Sequence, residues 1–131
     1  MPVAGIITCR ILELEFAWIL DNDPFFDLIT IIDDKHSATL GDILEKNSRK
    51  TIRRIPHIRA KLPVLPGENE ALIRVMEIGL HRRQKVLMDS LQKAAEEMSR
   101  YSDILVLGYG KCGNAITEPP DVTVPVIIPM D

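Results

Sequence analysis

Three glycines surround a cysteine near the end of the chain, at a spacing that lets the backbone approach a ligand closely. The glycines are Gly108, Gly110 and Gly113, in a G-x-G-x-x-G pattern after the apolar run 104–107. Cys112 lies between the last two of them. Such a loop can hold the pyrophosphate of a dinucleotide against a helix N-terminus. It can also surround a thiolate with backbone amides that stabilise its negative charge.

The residues that follow Gly113 argue against a dinucleotide site. Only NAITEPPDVT separates this glycine from the next apolar run, and Pro119 and Pro120 exclude a helix from most of it. The pattern also comes late in the chain, whereas the dinucleotide fingerprint opens the first strand-helix unit. We therefore predict that the loop binds neither NAD(P) nor FAD. Either it exposes Cys112 for chemistry, or Cys112 is a small residue packed in a turn.

The elements that must position this loop alternate along the chain. Apolar runs predict strands at 3–9, 25–32, 71–79, 103–108 and 124–130. Helical spacing of apolar residues predicts helices at 11–20, at 39–55 before Pro56, and at 80–100. This order indicates a three-layer α/β fold with a mainly parallel sheet of about five strands. The 131 residues fit a single domain, 1–131.

The loops that follow parallel strands meet at one edge of the sheet, where ligands bind. We expect Cys9, His81 and Cys112 at this edge. Histidine and cysteine are the ligands that zinc and similar transition metals prefer. Two ligands do not close a metal site, and the candidates for a third are other side chains at the same edge: Cys9, Glu13, Glu15 or Asp131. The alternative for His81 is a solvated ring in the first turn of a helix.

Residues 79–116 resemble the domain-of-unknown-function 1638 family (DUF1638). The resemblance is carried by the Leu-His pair at 80–81, a helix rich in Leu and Gln, and the Gly-Tyr-Gly-x-Cys-Gly-Asn run at 108–114. The stretches IITCRILELEF and VIIPMD are similar to the family's opening and to the strand after its glycine loop. The loop residues that the resemblance implies as cofactor contacts are Gly108, Tyr109, Gly110, Gly113 and Asn114, beside metal ligands His81, Cys112 and Cys9.

The resemblance also implies a function. Family members are similar to accessory proteins of methylamine and corrinoid methyl-transfer systems, so the expected cofactor is zinc, another transition metal or a corrinoid held by a partner. Two alternatives stay open: an enzyme with Cys112 as catalytic nucleophile activated by His81, and a non-catalytic interaction subunit. The family pattern continues past Asp131 to an Asp-Cys motif. We therefore expect that the chain is a fragment or short form, or that another chain completes the site.

Composition narrows the possible partners. The net charge of −3 gives no attraction to nucleic acid, and no apolar run is long enough to cross a membrane. Two distant cysteines without a secretory signal fit a cytoplasmic protein. Segment 46–61 holds seven Lys or Arg residues, which predict a docking face for an acidic protein or else a solvated surface. Apolar surface left uncovered at the sheet edge predicts self-association.

Overall fold

A computed structural model describes residues 3–9, 13–34, 37–61, 67–76, 84–108 and 121–127. These residues form six strands: β1 (Val3–Cys9), β2 (Leu28–Ile32), β3 (Thr51–Ile55), β4 (Glu70–Met76), β5 (Ile104–Gly108) and β6 (Val126–Ile127). The helices among them are α1 (Glu13–Asn22), α2 (Ala38–Asn47), α3 (Gln84–Ser99) and a short 3-10 helix, Ile58–Ala60. All strand pairings are parallel, in the order β3-β2-β4-β1-β5-β6. The predicted α/β fold with a parallel sheet is confirmed.

The segment after α2 differs from its prediction. The apolar spacing predicted one helix from Thr39 to Ile55, but α2 ends at Asn47 and Thr51–Ile55 forms β3. β3 is the strand that the five predicted strands did not include. It lies at one edge of the described sheet and pairs with β2 along its whole length. Five residues are too few for apolar periodicity to distinguish a strand from a helix. The backbone hydrogen bonds that β2 offers at its open side therefore decide the conformation.

Each face of the sheet has its own hydrophobic core. On one face, α1 and α2 bury Ala17, Leu20, Leu40 and Leu44 against Ile6, Ile29, Ile31, Ala71, Ile73 and Val75. On the other face, α3 buries Leu91, Ala94, Ala95 and Met98 against Ile7, Leu72, Leu105 and Leu107. The apolar spacing that predicted this helix consists of Leu87, Leu91, Ala94 and Met98. The last three are buried, and the side chain of Leu87 lies outside the described part. Strands covered on both faces read as nearly continuous apolar runs, as this sequence does.

The direction of each connection explains which face it covers. The chain runs from β1 through α1 to β2, and then through α2 to β3, always toward the β3 edge. It runs from β4 through α3 to β5, and on to β6, always toward the β6 edge. Right-handed crossovers in opposite directions lie on opposite faces of a sheet. The two cores, one under α1 and α2 and one under α3, follow this rule.

Candidate functional site

The glycine loop starts where the connections of two adjacent strands diverge. β1 pairs directly with β5, yet the chain leaves β1 toward the β3 edge and leaves β5 toward the β6 edge. The space outside the carboxyl ends of two such strands is where open parallel sheets bind ligands. Gly108, the first glycine of the loop, is the last residue of β5 and is buried. The fold therefore begins this loop at the position where a ligand site is expected.

A buried hydrogen bond holds the two strand ends together at this point. Thr8 lies opposite Gly108 in the sheet, and its hydroxyl donates to the Gly108 carbonyl oxygen at 2.8 Å. Thr8 itself has no solvent exposure. Since the side chain of a β1 residue binds the backbone of β5, the start of the loop is tied to the central strand by more than the sheet ladder.

The strand that leads to His81 ends at the same edge. In the order β4-β1-β5, only β1 separates β4 from β5, so these two strands lie roughly 10 Å apart. Cys9 is the last residue of β1 and lies opposite Met76, the last residue of β4. His81 is five residues beyond Met76, and Cys112 is four residues beyond Gly108. The three chain segments that carry Cys9, His81 and Cys112 thus leave from neighbouring strand ends.

Most of the predicted site residues lie outside the described residues. This applies to His81, Tyr109, Gly110, Cys112, Gly113, Asn114 and Asp131, and to the side chains of Cys9 and Glu13. Glu15 is exposed on α1. Within the described part of the chain, no three His, Cys, Asp or Glu side chains come together as a metal site. In the same part, no helix is both long enough and apolar enough to cross a membrane.

One cation of segment 46–61 is already neutralised within the fold. Arg54 donates to three carboxylates: Asp33 at 2.9 Å, Asp42 at 2.9 Å and Glu45 at 2.7 Å. Hydrogen bonds to Asp33, Glu45 and Asp42 raise the pKa of the Arg54 guanidinium above its usual value. This cluster ties β3 to α2 and to the end of β2, so Arg54 serves the fold rather than a docking face.

Two further cations of the segment also bind internally. The ammonium of Lys50 donates to the carbonyls of Leu20 and Asp23 at the end of α1. Lys61 is nearly buried, and its ammonium lies 2.8 Å from a carboxylate oxygen of the buried Glu70. Four cations of segment 46–61 have no such bond with another described residue: Lys46, Arg49, Arg53 and Arg59. The segment spans a helix end, a strand and a 3-10 helix, so its cations do not lie on one helix face.

A cleft on the α3 face was not predicted from the sequence. It has a volume of about 370 Å³, and its walls come from the 3-10 segment and from the end of α3. The lining residues are His57, Ile58, Arg59, Glu97, Arg100 and Tyr101. They belong to two segments about 40 residues apart in the chain, and no local spacing relates the two. They come together only because the connection between β3 and β4 packs against α3.

The comparison with known families concerns the second half of the chain. Residues 75–131 match the model of the family DUF1638, whose description is "protein of unknown function". The matched range starts in β4 and contains α3, β5, His81 and the whole loop 108–114. Cys9 and segment 46–61 lie before it. No curated protein and no solved structure matches the chain. The match agrees with the resemblance carried by the glycine loop, and the family description names no activity.

Proposed function

We propose that this chain is a cytoplasmic accessory protein that binds a metal ion or a metal cofactor at the carboxyl edge of its sheet. His81 and Cys112 would be the principal ligands, with Cys9 as the third. Loop residues Gly108, Tyr109, Gly110, Gly113 and Asn114 would contact the rest of a larger cofactor.

The observation that supports this proposal most directly is the strand order. The carboxyl ends of β4, β1 and β5 are neighbours, and these ends precede His81, include Cys9 and precede Cys112 respectively. Had the chain placed β4 and β5 at opposite sides of the sheet, no short loop could bring His81 toward Cys112. The bond from Thr8 to Gly108 adds a rigid starting point for the loop.

The donor types restrict which metal fits. Thiolate and imidazole are ligands for zinc and other transition metals, whereas magnesium and calcium prefer oxygen ligands. A site with three protein ligands leaves one position open for a substrate or for a partner's group. When bound, such a metal could act as a Lewis acid or hold a thiol in its deprotonated form. His81, Cys112 and Cys9 would orient it, and the buried strand ends would keep water from one side.

The link to corrinoid-dependent methyl transfer is the finer part of the proposal. It is supported by the resemblance of the loop to families that accompany such systems, and the family match at 75–131 covers that loop. In this role, a partner protein would hold the corrinoid. The cations without internal bonds in segment 46–61 would provide a contact for an acidic face of such a partner.

Elemental analysis of purified, untagged protein tests the proposal. We expect about one zinc or other transition-metal ion per chain. Cys112→Ser and His81→Ala should each lose most of this metal, because removing one of three ligands leaves an incomplete site. His57→Ala is the matched control: His57 follows β3, two strands away from β4, so its replacement should leave the metal content unchanged.

Two outcomes would contradict this proposal. One is a wild-type protein that binds no zinc, cobalt or iron even after incubation with each ion. The other is metal content that falls equally in the His57→Ala variant. Stoichiometric alkylation of Cys112 at neutral pH in metal-free protein would favour the alternative function, an enzyme with this thiol as its nucleophile. The metal content of Cys9→Ser shows whether Cys9 is the third ligand: it falls if Cys9 binds the metal and is unchanged if Cys9 only packs.

A further inference from the structure

The cleft lies beside a crossover that has no α-helix among its described residues. The connections from β1 to β2, from β2 to β3 and from β4 to β5 each contain an α-helix. The connection from β3 to β4 contains the three-residue 3-10 helix instead. Ile58 of this helix is buried in the same core as Leu91 and Met98 of α3. The cleft of about 370 Å³ lies between this 3-10 helix and the end of α3.

The cleft carries positive charge that the described residues do not neutralise. Arg59 and Arg100 line it from its two walls, are exposed, and have no ion pair or hydrogen bond with another described residue. The single carboxylate of the lining, that of Glu97, bonds instead to Arg74 at 3.1 Å. Exposed His57 adds a further donor at the rim. Two guanidinium groups that line one cleft therefore have no counterion among the described residues.

The rest of the lining is apolar and contains a ring. Ile58 is buried, and Tyr101 is half-buried and packs against the α3 core. A flat ligand could place its ring on Tyr101 while its charged group reaches the arginines. A volume of about 370 Å³ falls in the range of small-molecule sites.

We propose that this cleft binds a small organic phosphate that carries a flat ring. Two guanidinium groups match the double negative charge of a phosphate monoester, and each can donate two parallel hydrogen bonds to its oxygens. The nearby C-terminal end of α3 carries about half a negative charge, which the two guanidinium groups outweigh. Tyr101 and Ile58 select a ligand with a ring over free phosphate.

This cleft is separate from the metal site at the carboxyl edge. α3 starts after the carboxyl end of β4 and ends before the amino end of β5, so it runs back across the sheet. Arg100 and Tyr101 directly follow its last turn and therefore lie toward the amino edge. The other wall, residues 57–59, follows the carboxyl end of β3, and β2 and β4 lie between that strand and β1, whose carboxyl end holds Cys9. The phosphate proposal stands or falls independently of the metal proposal.

Titration with phenyl phosphate, followed by two-dimensional amide NMR of the full chain, tests this inference. We expect saturable shifts of amide signals from residues 57–59 and 97–101. Arg59→Gln and Arg100→Gln should each weaken binding about tenfold, since each removes a charged hydrogen-bond donor. Arg49→Gln is the matched control, because Arg49 is exposed on the turn between α2 and β3 and does not line the cleft.

Parallel titrations identify which part of the probe is recognised. Inorganic phosphate should bind about tenfold more weakly than phenyl phosphate, and benzyl alcohol should not bind. Phenyl phosphate that shifts no cleft signal at millimolar concentration would overturn the proposal. So would equal weakening by Arg49→Gln, which would indicate general attraction of an anion to surface charge. Equal affinity for inorganic phosphate and phenyl phosphate would overturn the assignment of a ring-bearing ligand.

Discussion

The hydroxyl of Thr8 donates a 2.8 Å hydrogen bond to the carbonyl oxygen of Gly108, so that the central strand holds the residue from which the glycine loop starts. Both residues are buried, and the bond spans 100 positions of the chain. It connects the amino-terminal strand to the matched family region. Through this hydrogen bond, the Thr8 side chain helps to position Gly108, the first residue of the glycine loop.

Replacing Thr8 by valine should destabilise the fold with little change in side-chain volume. The variant leaves the buried Gly108 carbonyl without this donor, at an expected cost of about 1–2 kcal/mol in the free energy of unfolding. Urea denaturation measures the difference. Thr8→Ser keeps the hydroxyl and should lie closer to the wild type. A Thr8→Val variant as stable as the wild type, beside a destabilised Thr8→Ser, would show that methyl packing, and not the hydrogen bond, is what matters.

Gly5 is required because another strand and the turn before it come too close for a side chain. A Cβ at this position would lie 2.5 Å from the Ser102 hydroxyl oxygen and 2.7 Å from Leu105 Cδ2. Gly5→Ala should therefore cost about 1–3 kcal/mol through overpacking. The Ser102 hydroxyl has no hydrogen-bond partner in the described structure, so Ser102→Ala alone should be nearly neutral.

Thermal denaturation of the two single variants and of the double variant checks this steric explanation. Ser102→Ala should recover part of the loss in the Gly5→Ala background, because it removes one of the two closest atoms. A fully additive double variant would contradict the explanation.

The pair of Lys61 and Glu70 makes each residue depend on the other. Glu70 is buried and also accepts a hydrogen bond from the Thr30 hydroxyl. Lys61→Met leaves this carboxylate without its cation and should cost about 3–5 kcal/mol in the free energy of unfolding. The double variant Lys61→Met/Glu70→Leu should be less destabilised than Lys61→Met, because no unpaired buried charge remains. Lys93→Met, at an exposed position of α3, is the control and should be nearly neutral.

We expect no binding of NAD(P) or FAD. The glycine pattern is followed by Pro119 and Pro120, which leave too little chain for the helix that holds a pyrophosphate. Isothermal titration calorimetry with NAD⁺, NADPH and FAD should show no saturable heat at micromolar protein. Binding of any of the three that is lost in Gly110→Ala would show that the loop is a nucleotide site after all.

We expect the chain to associate with a second copy through α1 and the turn after it, and not through the sheet edge that the sequence suggested. Trp18 and Phe25 are 69% and 51% exposed, and Trp18 lines an apolar groove of about 190 Å³ between α1 and α2. Ala17, Ile43 and Leu44 also line this groove, so a second copy would cover apolar surface there. Trp18→Ser should shift the sedimentation coefficient toward the monomer.

Ile127→Ser distinguishes this surface from the sheet edge. Ile127 is 47% exposed on β6, the strand at one edge of the described sheet. We expect this variant to associate as the wild type does. Dissociation by Ile127→Ser alone would assign the contact to the edge strand, and a wild-type protein that stays monomeric at all concentrations would contradict self-association itself.

Local sequence patterns predicted much of the fold because the buried positions of its strands and helices are occupied by apolar residues. The runs at β1 and β5 are almost wholly apolar, and β4 is apolar except for Glu70 and Arg74, since both faces of these strands are covered. The stripe that contains Leu91, Ala94 and Met98 predicted α3 for the same reason. The pattern did not predict β3, because Ile52 and Ile55 fit a helix as well as a strand until β2 supplies the hydrogen bonds.

The arrangement of these elements was decided only by tertiary structure. β4 inserts between β1 and β2 through pairings such as Val3 with Glu70, which are about half the chain apart. No local spacing encodes such a pairing, since it depends on which strands can share hydrogen bonds while both faces stay covered. The sequence by itself determined the residue types of the candidate site, namely cysteine, histidine and a glycine loop. Their shared edge follows from the order β4-β1-β5, which only the folded sheet defines.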